Sequence, residues 1–100
     1  MKFTKDLEAS VGTSLQGYTE TTLRKLVEVF GEPEYYGEGD KVTTEWCLKF
    51  DDGTVATIYD WKRYEDGTPE LDEMYHWHVG GESPIALATV EHQIRVHFLV

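Results

Sequence analysis

The stretch TTEWCLKFDDGTVATIYDW, residues 43–61, decides the fold because two alternating runs flank an Asp-Gly turn. In the first run Trp46, Leu48 and Phe50 share one face, and Cys47 and Lys49 share the other. In the second run one face holds Val55, Thr57, Tyr59 and Trp61, and the other holds Ala56, Ile58 and Asp60. The pattern predicts a β-hairpin with one face in the core, and it places Trp46 or Trp61 there.

A third strand is predicted further along, at MYHWHV, residues 74–79. Alternation puts Tyr75, Trp77 and Val79 on one side of it and Met74, His76 and His78 on the other. Gly80 and Gly81 end the strand, and Ser83 followed by Pro84 is typical of a helix N-cap and first helical position. This predicts a helix from Ser83 to Arg95, whereas the last six residues, RVHFLV, fit a helix or a strand.

A second helix is predicted before the hairpin, from Thr19 to Phe30. Its apolar stripe has the spacing i, i+3, i+4 and i+7 and consists of Leu23, Leu26, Val27 and Phe30. Thr19 is the expected N-cap, and Gly31 and Pro33 supply the stop signal. Residues 1–12 are expected to form a flexible arm or a short first turn. Residues 13–18 are either a short strand or the approach to the helix.

These elements predict a single α+β domain over residues 1–100, an antiparallel sheet of three to four strands packed against two helices. A chain of this length buries about two-thirds of the surface that it exposes when unfolded. The 40% of hydrophobic residues is enough for one packed core. We therefore expect the chain to fold alone.

The charge balance narrows the choice of partner. Nineteen acidic and nine basic residues give a formal net charge of −10, which repels phosphate backbones and anionic lipids. Direct binding to nucleic acid or to a membrane is therefore not expected. Cys47 is a single cysteine and the N-terminal residues MKFTKDLEAS lack a long apolar run, so we expect a location in a reducing cytoplasm.

Two histidines raise the question of a metal site. His76 and His78 lie on the same strand face, about 7 Å apart at the usual strand rise, and such a pair is able to bind one metal ion. The third ligand would have to be His92, His97, Cys47 or a carboxylate, and no zinc spacing fixes which one. We expect no cofactor, and a His-dependent metalloprotein stays an alternative.

The signals for catalysis are weak. Cys47 lies within a strand rather than at a helix N-terminus, where thiols are activated, and no Gly-x-Ser-x-Gly sequence is present. No pair of carboxylates stands out as acid and base, so we expect a protein that is not an enzyme. A second alternative is a protein that binds a nucleotide or another anion at the helix N-terminus formed by Gly80, Gly81 and Ser83.

Acidic residues concentrate in the connection after the hairpin and consist of Asp60, Glu65, Asp66, Glu70, Asp72 and Glu73. One interpretation is a solvated loop that keeps a small domain soluble. The other is a surface that docks on a basic groove by imitating phosphate spacing, with Tyr35, Tyr36 and Tyr64 as anchors. The second interpretation predicts a partner protein with a basic surface.

Four strings carry a resemblance to a family of short proteins of bacteriophages and prophages. They are GTSLQGY, VFGEP, TEWCLKFDDGTVATIYDWK and WHVGG, within residues 12–91. The helix followed by a Trp-containing hairpin is also similar to the repeat of lipoprotein assembly factors and β-lactamase inhibitor proteins. The chain departs from that repeat because it has one such unit and no lipoprotein cysteine near residue 1.

The resemblance to phage proteins implies where the protein acts but assigns no functional residues, because that family has no established catalytic residues. It implies a small acidic protein that acts in the cytoplasm of the host bacterium as a takeover or counter-defence factor. The expected function is therefore non-enzymatic inhibition of a host enzyme that handles DNA, such as a CRISPR effector or a restriction enzyme, with a basic nucleic-acid site as the target. Fold and setting alone do not determine function.

Overall fold

Six strands and two helices form the chain over residues 2–99, which the computed structural model describes. They are β1 (Phe3–Lys5), β2 (Ser14–Thr21), α1 (Leu23–Phe30), β3 (Glu34–Tyr35), β4 (Thr44–Phe50), β5 (Val55–Tyr59), β6 (Tyr75–Gly81) and α2 (Ile85–His97). Two short 3-10 turns lie at Leu7–Ser10 and Tyr64–Asp66. The strand pairs are antiparallel, which confirms the predicted α+β class.

The sheet contains more strands than the predicted three to four. Its order is β1-β4-β5-β6-β2, and β3 also pairs with β4. Residues 48–50 of β4 pair with β1, and residues 44–45 pair with β3. The sequence did not predict β1 and β3 because they have three and two residues, too few to show a period. A strand at residues 13–18 was one of two alternatives, and β2 depends on pairing with the distant β6.

Strand β2 forms one edge of the sheet. It pairs with β6 from Ser14 opposite Gly81 to Thr21 opposite Tyr75, and a β-bulge shifts the register between Leu15 and Gly17. Gly17 has a φ of 154°, and a Cβ added to it would lie 2.7 Å from Leu87 Cδ2. The bulge therefore lets α2 approach the edge strand closely.

Residues 1–12 were expected to form a flexible arm or a short first turn. The structure shows a short turn at Leu7–Ser10, preceded by strand β1, which pairs in the sheet. The Phe3 ring lies 5.5 Å from that of Phe30 and 5.8 Å from that of Phe50, measured between ring centroids. The backbone N–H of Asp51 donates a hydrogen bond of 3.0 Å to the carbonyl of Lys2. Aromatic packing and ladder hydrogen bonds thus order this segment, although Met1 lies outside the described residues.

The helix predicted from Thr19 begins later, at Leu23. Thr22 is the N-cap, and its hydroxyl accepts a hydrogen bond of 3.2 Å from the backbone N–H of Lys25. Thr19 is buried in β2 opposite Trp77. Strand pairing extends through Thr21, so the helix begins only where the sheet ladder ends.

Helix α2 spans Ile85–His97 rather than Ser83 to Arg95. Pro84 occupies the cap position, and the Ser83 hydroxyl accepts a hydrogen bond of 3.3 Å from the N–H of Ile85. Of the undecided RVHFLV segment, residues 95–97 continue the helix and Phe98 ends it, whereas Val100 lies outside the described residues. The predicted N-cap at Ser83 and first helical residue at Pro84 are therefore each displaced by one residue.

Two tryptophans form the centre of the core. Trp46 and Trp77 pack edge to face with their ring centroids 5.5 Å apart, and both are at most 1% exposed. Trp46 Nε1 donates to the carbonyl of Gly31 at 2.8 Å, and Trp77 Nε1 donates to that of Thr21 at 3.2 Å. The same cluster contains Leu23, Leu26 and Phe30 of α1, Ala86 and Val90 of α2, and the inward residues of β4, β5 and β6. The N–H group of each indole thus has a backbone carbonyl as its hydrogen-bond acceptor, as a buried donor requires.

Replacing Trp46 with alanine should lower the free energy of unfolding by roughly 3–5 kcal/mol, since a large side chain leaves a cavity in the core. Trp61 is 39% exposed, so Trp61→Ala should cost about 1 kcal/mol or less. Urea denaturation of both variants measures the two values. Equal losses would contradict the assignment of Trp46 rather than Trp61 to the core.

Candidate functional site

Asp60 does not belong to an acidic surface, although the sequence suggested it. It is fully buried, and its carboxylate accepts hydrogen bonds from the backbone N–H groups of Thr43 at 2.8 Å and Thr44 at 3.0 Å. The Thr43 hydroxyl donates a third hydrogen bond. Alternation along β5 places Asp60 on the inward face with Ala56 and Ile58. Its role is therefore structural.

Two further members of the predicted acidic surface are held by arginines. Asp72 accepts a two-pronged hydrogen bond from Arg24 at 2.7 and 3.0 Å, and this bond lowers the pKa of Asp72 from its usual value. Glu73 forms an ion pair of 3.1 Å with Arg63, whose side chain also donates to the carbonyl of Gly67 at 2.6 Å. These two carboxylates are paired within the chain and are therefore not free charge.

The remaining acidic side chains of this connection are exposed, and two acidic residues of the neighbouring β3–β4 loop add to them. Gly39 of the β3–β4 loop donates a backbone hydrogen bond of 3.2 Å to the carbonyl of Tyr64, whose side chain is exposed. We call the following five residues the acidic patch: Glu38, Asp40, Glu65, Asp66 and Glu70. None of them forms an ion pair within residues 2–99. The patch is therefore a free negative surface.

The three tyrosines expected beside the acids do not lie together. Tyr35 is opposite Thr44 and so shares the face of the sheet that carries Trp46, whereas Tyr36 lies beside Glu45 on the other face. The hydroxyl of Tyr36 donates to Glu45 at 2.8 Å, and burial together with this carboxylate raises the pKa of Tyr36. Tyr64 lies in the loop that carries Glu65, Asp66 and Glu70, and Tyr36 lies at the start of the β3–β4 loop, so the three tyrosines do not form one group of anchors.

His76 and His78 share one face of the sheet, as predicted. His76 Nε2 lies 2.6 Å from a carboxylate oxygen of Glu20, and both side chains are exposed. Within residues 2–99, no group of three or more histidine, cysteine or acidic side chains is arranged to hold a metal ion. Cys47 is buried, and burial raises the pKa of its thiol to about 11, so the thiol is not activated.

His78 is the centre of an exposed cluster of rings that the sequence did not reveal. Its ring centroid lies 4.8 Å from that of Tyr18, 5.3 Å from that of Tyr59 and 6.0 Å from that of Trp61. We call these four residues the aromatic patch. Tyr18 is 51% exposed and Trp61 is 39% exposed, on the face of the sheet opposite the helices. Alternation in the sequence predicted on which side of its strand each of Tyr59, Trp61 and His78 lies. The position of Tyr18 beside them depends on the pairing register of β2 with β6, which the sequence does not show.

The environment of His78 is unusual within this patch. Its Nδ1 atom is buried and has no hydrogen-bond partner among the described residues. Burial lowers the pKa of His78 from the ordinary value of 6.5, and the charge of Asp60 partly opposes this shift. The imidazole is therefore held mainly in its neutral form at physiological pH.

The predicted anion site at Gly80, Gly81 and Ser83 has a packing explanation. Both glycines lie within β6, and a Cβ on Gly81 would overlap that of Ala86, while a Cβ on Gly80 would overlap the Thr57 hydroxyl. A cavity of about 300 Å³ beside this turn is lined by the carboxylates of Asp52 and Glu82 as well as by Ser83. Two negative charges at the start of α2 disfavour an anionic ligand.

Comparisons with known proteins gave no match to a protein-family model, a curated protein or a solved structure. Within residues 2–99, no helix combines the length and the apolar character needed to cross a membrane. The functional assignment therefore rests on the surface of the chain itself, above all on its acidic and aromatic patches.

Removing metal should leave the fold unchanged, because His76 and His78 are packed or paired without a third ligand. We expect the same melting temperature before and after treatment with a strong chelator. Differential scanning fluorimetry measures it, with added zinc as the control. A drop of several degrees that zinc reverses would establish a metal site.

His78 should make stability depend on pH. Because its pKa is lowered in the folded state, its favourable contribution is complete above the unfolded value of 6.5 and is lost as pH falls below it. The free energy of unfolding should therefore fall more for the wild type than for His78→Gln between about pH 7.5 and pH 5.5. Urea titrations at both pH values measure this difference, and other titrating groups cancel because both proteins contain them. The same decrease in the free energy of unfolding in both proteins would contradict the contribution assigned to His78.

Proposed function

We propose that this chain is a non-enzymatic protein-binding inhibitor that docks on a basic surface of a bacterial enzyme. The target class that fits best is a defence nuclease or another DNA-handling enzyme, blocked at its nucleic-acid-binding site in the cytoplasm of a phage-infected host. The observation that carries the proposal is the acidic patch, whose five carboxylates are exposed and form no ion pair within the described chain. The resemblance to phage proteins supports the setting.

The charge of the chain supports recognition of a basic groove. A net charge of −10 on one hundred residues attracts a positive surface over distance and raises the association rate, although salt screens it beyond about 8 Å. The same charge disfavours direct contact with nucleic acid. A protein of this kind would compete with DNA for the groove rather than bind DNA itself.

The loops that carry the acidic patch are held in place before binding. Arg63 donates to the carbonyl of Gly67 and pairs with Glu73, both in its own loop. The Thr44 hydroxyl donates a hydrogen bond of 2.8 Å to the hydroxyl of Thr68 and so links this loop to β4. A surface that is already ordered loses less conformational entropy on binding. This order favours a docking surface over a loop that serves solubility alone.

Capture from bacterial cells tests the target class. The tagged chain is expressed in phage-infected or prophage-bearing cells, and the proteins that co-purify are identified. We expect a protein with a basic nucleic-acid-binding site, and we expect added duplex DNA to reduce its recovery. Recovery that is indifferent to DNA would contradict inhibition by occupation of that site.

Reversing the charge of the acidic patch should weaken binding to the captured protein. Glu65→Lys with Glu70→Lys changes two exposed, unpaired carboxylates, and we expect affinity to fall by about tenfold or more at low salt. The matched control is Asp51→Lys with Glu82→Lys, which makes the same charge change at the opposite end of β5 and β6. Surface plasmon resonance at several salt concentrations measures both. Equal losses in the two variants would show that total charge matters rather than the acidic patch.

A further inference from the structure

The aromatic patch offers ring faces together with carboxylates at its margin. Glu45 lies opposite Tyr59 in the β4–β5 pair, and Glu20 follows Tyr18 by two residues and so shares its face. Glu45 also accepts a hydrogen bond from Tyr36 and Glu20 lies against the exposed His76, so an arginine would share these carboxylates with their present partners or displace them. Rings alone would suit any apolar ligand. Rings bordered by carboxylates favour a ligand that carries a positive charge and also has a flat or apolar surface. The carboxylates and the ring faces therefore both indicate a positively charged ligand that packs on aromatic rings.

The chain already places its own cations on two rings, the exposed Trp61 and the half-buried Tyr75. Lys62 Nζ lies 5.9 Å from the centroid of the Trp61 ring, within the distance of a cation–π contact. The guanidinium carbon of Arg63 lies 5.1 Å from the centroid of Tyr75. Trp61 thus accepts a cation within the structure, and its contact with Lys62 is one that an incoming side chain is able to replace.

The aromatic patch is also close to the acidic patch. Trp61 directly follows Asp60, and the next residue, Lys62, donates a backbone hydrogen bond of 2.7 Å to Lys41, the neighbour of Asp40. The two patches therefore meet at the Lys41–Lys62 backbone contact.

We propose that the aromatic patch binds an arginine side chain of the partner, with the guanidinium stacked on Trp61 and Tyr18 and paired with Glu20 or Glu45. Arginine fits better than lysine because its planar group stacks on rings and forms two hydrogen bonds with a carboxylate. This inference rests on the proposed protein-binding function and specifies how the partner is recognised.

Two blocked peptides test the inference directly. In one peptide arginine alternates with glycine over five residues, and in the other citrulline, which has nearly the same shape but no charge, replaces each arginine. Nuclear magnetic resonance follows the indole N–H of Trp61 during titration of the wild type. We expect saturable shifts at Trp61 with the arginine peptide and a loss of at least about threefold in affinity with the citrulline peptide.

Two variants locate the contact. Trp61→Ala and Tyr18→Ala should each weaken binding of the arginine peptide by about three- to thirtyfold. Tyr35→Ala is the matched control, because Tyr35 is 52% exposed on the opposite face of the sheet and should leave binding unchanged. Circular dichroism of each variant checks that the fold is retained, and resonances of the other patch residues report binding where Trp61 is replaced.

Lys62→Gln should have the opposite effect and strengthen binding, because it frees the face of Trp61. Lys41→Gln is its control, since it removes the same charge nearby and Lys41 lies over no aromatic ring within residues 2–99. A gain in Lys62→Gln that exceeds the gain in Lys41→Gln supports the inference, and equal gains would assign the effect to charge alone.

The outcomes separate this inference from the proposed function. Equal affinity for the two peptides, or binding that Trp61→Ala leaves intact, would overturn arginine recognition by the aromatic patch, whatever protein is captured from cells. Arginine recognition that holds while capture yields no nucleic-acid-binding enzyme would instead overturn the proposed target class.

Discussion

The buried carboxylate of Asp60 holds together the end of the molecule that carries both candidate surfaces. It accepts two backbone hydrogen bonds from the start of β4, and the hydroxyl network continues from Thr44 to Thr68 in the β5–β6 connection. A charged group removed from water is tolerated only when such donors replace its hydration. Because both acidic loops connect to this carboxylate, their relative position depends on it, and Trp61 follows it directly on the chain.

The hairpin and the two helices were predictable because their signals are local. Alternation in residues 43–61 gave the inward face of Trp46, Leu48 and Phe50, and the apolar stripe of α1 gave Leu23, Leu26 and Phe30. The sequence did not predict β1 and β3 and gave β2 only as one of two alternatives, because these strands gain their structure from distant partners. Pairing of β1 with residues 48–50, or of β2 with β6, contributes hydrogen bonds that no short window of sequence contains. The missed elements are therefore those that depend on tertiary context.

The candidate site was predictable in part for the same reason. Alternation correctly placed His76 and His78 on one face, and it also grouped Asp60 with Ala56 and Ile58, a signal of burial that acidic composition obscured. The arginine partners of Asp72 and Glu73 lie 48 and 10 residues away, respectively, so counting acids overestimated the free charge. The aromatic patch requires the register of three strands, and no motif in the sequence carries that information.

The bulge in β2 also affects how the sheet meets other proteins. An edge strand presents backbone donors and acceptors that are able to template another strand, which is a common route to aggregation. The register shift between Leu15 and Gly17 breaks the regular spacing of these groups and increases the local twist. A second strand adding to this edge would find only a short regular ladder after the bulge. The same irregularity, at the glycine that admits Leu87 of α2, makes this edge a poorer template for a second strand than a regular ladder would be.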